Sequence, residues 1–125
     1  MKIPSYKCCN NLWNQYHVPL SVRRHCETVT KVGVVLAGAL QRAGVEIDVT
    51  LVEIGCRLHD TFKAVSLNDD DLACAGLTQE EIAQWAKVRA KYPEGTHETI
   101  VAAYELEPEY PDFSIPSQLV SPRGQ

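Results

Sequence analysis

The sequence predicts an all-α fold, a bundle of five or six helices, and three observations carry that prediction. Apolar residues recur at steps of three and four rather than two. Helix-capping residues stand where those patterns begin. No segment alternates cleanly enough to read as a strand; "VGVV" at 32–35 has strand propensity, but its surroundings keep a helical period.

The elements follow in order. Residues 5–16, "SYKCCNNLWNQY", form a first helix that "HVP" at 17–19 ends. The second helix is the clearest. Its inward positions run Val22, His25, Val29, Val32, Leu36, Leu40, in steps of 3, 4, 3, 4 and 4. "RAG" at 42–44 closes it, with Gly44 suited to a C-cap. A third helix starts at Asp48, a good N-cap, with the seam Val49, Val52, Cys56, His59. A loop, "TFKAVSLNDDD", follows, and Asp69 to Asp71 suit the start of a short helix that Gly76 stops. Thr78 and Glu81 have capping-box spacing ahead of a helix whose apolar side is Ile82, Trp85, Val88 and Tyr92. "PEG" breaks it. Thr96 caps a last helix, "HETIVAAYEL", which Pro108 and Pro111 end. The helical domain spans 1–113, and 114–125 reads as an irregular tail.

A chain of 125 residues supports one core. With 45% apolar and 22% charged residues it has the balance of a folded globular domain, not a disordered one. A net charge of −4 argues against a general nucleic-acid binder, since such domains are basic. No apolar run is long enough for a membrane span, and the start "MKIPSYKCCNNLW" lacks a secretion signal, so a cytoplasmic location is expected. Five cysteines, with no CxxC spacing, suggest neither a disulfide framework nor a zinc ribbon. Cys26, Cys56 and Cys74 read as small core residues.

The chemistry-bearing residues are histidines. A lone His on an apolar helical face is ordinarily a packed core residue. His25 and His59, on the inward seams of neighbouring helices, are two, and imidazoles that face one another need a shared partner such as a metal ion. Asp60 follows His59. Adjacent helical residues point about 100° apart, yet both can reach one ion from a last helical turn. A carboxylate at a helix C-terminus is unfavourable unless something compensates it, and a metal would; the plain alternative is an exposed residue. Imidazole and carboxylate together suit a divalent transition metal, with Mn, Fe, Zn, Ni and Co all candidates. Lys63, one turn on, is either a surface lysine or a cation for a phosphate oxygen. His97, at the first turn of the last helix, is either exposed or turned to the same cavity, as a second ligand or a proton donor.

The ordered set His25, His59-Asp60, His97, with Lys63 spaced as in "HDTFK", resembles the HD-domain superfamily of metal-dependent phosphohydrolases. "VPLSVRRHCETVTKVGVVLAGAL" looks like that family's first ligand helix, and "IDVTLVEIGCRLHDTFK" like its second. "KYPEGTHETIVAAYEL" looks like a later segment in which a His follows a tyrosine–proline turn. The resemblance covers roughly residues 5–113. It implies an HD-domain-like bundle with a metal held by His25, His59 and Asp60. It also implies hydrolysis of a phosphate ester, often of a nucleotide, with Asp60, Lys63 and His97 as the catalytic set.

Two departures stand beside the resemblance. "HDTF" replaces the family's small, glycine-containing sequence after the HD pair. The family's closing Asp lies on a later helix, and here the only later Asp is Asp112, in "EYPDFSIP". A water, Glu98, one of Asp69 to Asp71, or another chain could fill that place. The departures give the alternative expectation: a shortened binding or regulatory module that turns nothing over. They also suggest homo-oligomerisation, since uncovered apolar surface favours self-association.

Overall fold

In the computed structural model residues 2–91 are described; the His97 helix, Asp112 and the 114–125 tail fall outside that range. Five α-helices and one 3₁₀ turn make up the described residues, with no strand among them. They are α1 (Tyr6–Gln15), α2 (Leu20–Arg42), α3 (Val49–Leu58), the 3₁₀ turn Lys63–Ser66, α4 (Asp69–Cys74) and α5 (Gln79–Lys91). No described helix is long and apolar enough to cross a membrane.

The helix ends follow the local chemistry. Ser5 and Asp48 accept N–H groups of the first turns of α1 and α3. Asn68 with Asp71, and Thr78 with Glu81, close reciprocal capping boxes on α4 and α5. Helices α2 and α4 both end in a Schellman turn. Val45 N–H reaches Leu40 O and Leu77 N–H reaches Leu72 O, around Gly44 and Gly76 at φ +94° and +93°.

At α5 the cap predicts a pH effect. The Thr78 backbone N–H, aided by His17 at 3.0 Å, holds the Glu81 carboxyl below its usual range. A carboxyl with a depressed folded pKa stabilises the fold above its unfolded pKa, about 4.3. That contribution is lost as pH falls through the lowered folded value. Thermal midpoints of wild type and Glu81→Gln should therefore differ at neutral pH and converge in acid. A gap that persists in acid would contradict this.

Helices α2 and α3 form an antiparallel hairpin, with His25 beside Asp60 at one end and Gly33 against Cys56 in the middle. The buried face of α2 is Val22, Cys26, Thr30 and Ala37, so of the predicted seam only Val22 is buried. Val32, Leu36 and Leu40 are exposed, and so is His25. The reason is steric. Small residues at 26, 30, 33 and 37, spaced 4, 3 and 4, let α3 approach closely. A Cβ on Gly33 would stand 2.7 Å from Cys56 Sγ, so a larger side chain there would force the helices apart.

The core lies under the other face of α3. Ile54 and Leu58 meet Cys9, Leu12 and Trp13 of α1, Leu72 of α4, and Ile82 and Trp85 of α5. Phe62 is fully buried among them, with ring centroids 4.8 Å from Tyr16 and 5.8 Å from Trp85. Cys26 is buried as expected, but Cys74 is exposed and Cys56 only half-buried. Arg23 is half-buried. It donates to the carbonyls of Trp13 and Val18 and to Asn14 Oδ1, satisfying the acceptors where α1 ends. Arg89 does the same for Val65 and Leu67 after the 3₁₀ turn.

Candidate metal centre

The site forms where α3 stops. The segment after Leu58 does not open into a loop as expected. Thr61 N–H bonds Leu58 O and Lys63 N–H bonds Asp60 O, a run of tight turns that leads into the 3₁₀ turn. The inward residues anchor it: Thr61 and Phe62 are fully buried, and Thr61 Oγ1 accepts the Trp13 indole N–H at 3.2 Å. With 61 and 62 pinned in the core, Asp60 is turned the other way, toward α2. A small glycine-containing sequence would lack that anchor.

Asp60 Oδ2 stands 3.1 Å from His25 Nε2 and 3.2 Å from His59 Nε2. The imidazole centroids of His25 and His59 are 5.6 Å apart. One donor atom from each of the three residues lies within 4.8 Å of the others, and among the described residues no other such group occurs. This is the separation at which three ligands can share one ion.

The second nitrogen of His59 strengthens that assignment. Its Nδ1 lies 2.6 Å from Cys56 O, one turn back. A carbonyl only accepts, so Nδ1 carries a proton and Nε2 is the nitrogen left to face the cluster. Metal-binding histidines are oriented in this way. Beneath the cluster, the Asp60 backbone N–H donates to Cys26 sulfur, yet burial still pushes that thiol up to about 11. Cys26 therefore stays a neutral thiol near pH 7. It supports Asp60 but does not compete as a thiolate ligand.

Burial is uneven. His59 and Asp60 side chains are 20% and 15% exposed, whereas His25 is 55% exposed. The two histidines are thus not both buried, as the periodicity suggested; His25 reaches in from the rim of the hairpin. One side of the cluster is open, and a cavity of about 280 Å³ lies there, lined by Ser21, Val22, His25, Asp60 and Lys63. The larger concavity, about 620 Å³, lies at the far end of the hairpin around Val35, Arg42 and Asp48 and contains none of these residues. We place the chemistry in the smaller one, because only there do imidazole and carboxylate donors converge.

Of the residues singled out in the sequence, the fold brings together His25, His59, Asp60 and Lys63. Asp71 is committed to the α4 cap. His17 is structural: it has φ 52°, pairs with Glu81, and its carbonyl accepts the Trp85 indole N–H. His97, Glu98 and Asp112 lie outside the described residues. Sequence reading missed Ser21 and the Cys56 carbonyl. The spacing held both signals, since Ser21 precedes His25 by one turn and Cys56 precedes His59 by three residues.

No protein-family model, no curated protein and no solved structure matches the chain.

Proposed function

We propose that the chain is a metal-dependent phosphohydrolase of HD type, acting on a phosphate ester such as a nucleotide. The observation that carries this reading is the convergence of His25 Nε2, His59 Nε2 and the Asp60 carboxylate beside a cavity that also takes Lys63. Three protein ligands with a side left open is the usual plan of a catalytic metal site; structural sites close all four positions. The donor set suits Mn, Fe, Zn, Ni or Co. When bound, such an ion supplies a Lewis acid for a phosphoryl oxygen and an acidified water.

The chain's own groups do the rest. Cys56 O fixes the His59 tautomer. Asp60 supplies negative charge against the cation and spans both imidazoles. Lys63, on the same cavity wall, offsets the charge of an incoming phosphate. His97 is proposed as a proton donor to the leaving group or as a further ligand. The second reading, a module that binds metal or phosphate without turnover, draws on "HDTF", which stands where the family has a small, glycine-containing sequence after the HD pair.

The test is phosphate release from a panel of nucleotides and simple phosphate esters, with metal content measured on the same untagged preparations. We expect metal-dependent turnover. Lys63→Ala should lower kcat/KM by about 10- to 100-fold, the loss of one charged hydrogen bond, with metal content unchanged. Bound metal without release would favour the non-catalytic module. Absence of bound metal would remove the phosphohydrolase reading.

A further inference from the structure

Within the phosphohydrolase reading, on which this step rests, we infer that Ser21 is a phosphate-positioning residue and that the substrate is a phosphomonoester rather than a diester. The cavity beside the cluster has two side-chain donors that are not ligands of the triad: Ser21 Oγ and Lys63 Nζ. Neither takes part in a hydrogen bond or ion pair among the described residues. Arg23 and Arg89, by contrast, are committed to backbone carbonyls. Two uncommitted donors facing one small cavity, with a carboxylate–imidazole cluster on its wall, make a place for an anion with several acceptor oxygens.

Ser21 is well held for this. It sits in the first turn of α2, one turn before His25, so hydroxyl and imidazole lie on one helical face. The N-cap of α2 is Pro19, which offers no side-chain acceptor to that turn. No acidic residue stands in the turn either, so nothing there repels an anion. Lys63 comes to the same cavity from the start of the 3₁₀ turn.

The number of donors sets the substrate class. A phosphomonoester has three non-bridging oxygens and up to two negative charges. A diester has two such oxygens and one charge. The cavity has three anchoring positions: the triad, Lys63 and Ser21. A monoester gives each position an oxygen of its own and a second negative charge to set against Lys63 and the cation, while a diester lacks that charge and brings a second ester group into about 280 Å³.

The experiment is calorimetric titration of inorganic phosphate into metal-loaded protein, with dimethyl phosphate as the diester probe and metal content assayed on each sample. We expect wild type to bind inorganic phosphate and to bind dimethyl phosphate at least tenfold more weakly. Ser21→Ala should weaken phosphate binding by about tenfold with metal content unchanged, and Ser21→Thr, which keeps the hydroxyl, should restore most of it. Equal phosphate binding by wild type and Ser21→Ala would overturn the role of Ser21. Equal binding of both probes would overturn the monoester assignment. Wild type that holds metal but takes no phosphate would overturn the inference as a whole. A protein that holds no metal would instead remove the phosphohydrolase reading, so the two failures are distinguishable.

Discussion

Asp60→Ala should abolish divalent metal binding, the largest functional loss expected from any single substitution in the described residues. Asp60 Oδ2 is the atom the other two ligands share, at 3.1 Å from His25 and 3.2 Å from His59. Its removal takes away the only carboxylate of the triad and leaves two imidazoles with no anion to compensate a cation. Altering a residue that only orients a metal ligand costs about 10- to 100-fold in affinity; loss of a direct ligand should exceed that. The readout need not be activity. A ligand at 100 times its Kd stabilises the folded state by about 2.7 kcal/mol. For a domain of this size that raises the melting temperature by roughly 10 °C. Wild type should show the shift with Mn, Fe, Zn, Ni or Co, and Asp60→Ala should show none with the same ion. His25→Ala should keep part of it, since His25 comes from the exposed rim while His59 and Asp60 remain on one turn. Metal-dependent stabilisation that survives in Asp60→Ala would place the ion elsewhere.

The legible part of the fold is its local chemistry. The capping box at Thr78 and Glu81, the glycine stops at 44 and 76, and the Ile82–Trp85 face of α5 all depend on neighbours within one turn. The orientation of α2 did not read out, because its sequence offers two stripes. Val29, Val32, Leu36 and Leu40 form the more apolar one. Cys26, Thr30, Gly33 and Ala37 form the smaller one, and the smaller one faces α3. Hydropathy ranks the first stripe higher, but close packing selected the second, and only a partner helix reveals that. His25 belongs to the exposed stripe and still reaches the cluster, because the helix end lies beside Asp60.

The candidate site was legible for a different reason. His59 and Asp60 are adjacent, so one turn delivers both, and the HD pair could be read before any fold was known. The geometry that makes the pair usable was not legible. It depends on Thr61 and Phe62 anchoring the turn through contacts across the core, whereas the Cys56 carbonyl that fixes one ring is a local partner one turn back.

That anchoring gives the largest expected stability effect. Phe62 is fully buried, edge-on to Tyr16 and Trp85, and stands two residues beyond Asp60. Truncating a buried Phe to Ala costs about 3–5 kcal/mol, from lost transfer energy and the cavity left behind. Single domains have only about 5–15 kcal/mol in total, so Phe62→Ala should sit close to the unfolding threshold. Chemical denaturation should show a midpoint far below wild type. Phe62→Leu fills more of the same volume and should remain folded with a smaller loss. It also separates anchoring from plain stability. If Phe62 turns Asp60 toward α2, Phe62→Leu should bind metal more weakly than wild type even where it is fully folded. A substitution of similar destabilisation elsewhere in the same core, such as Ile82→Val at the start of α5, should leave metal affinity unchanged. Equal metal affinity in Phe62→Leu and Ile82→Val would show that the turn holds Asp60 without Phe62. A loss below about 1 kcal/mol in Phe62→Ala would show that the ring is not packed in the core at all.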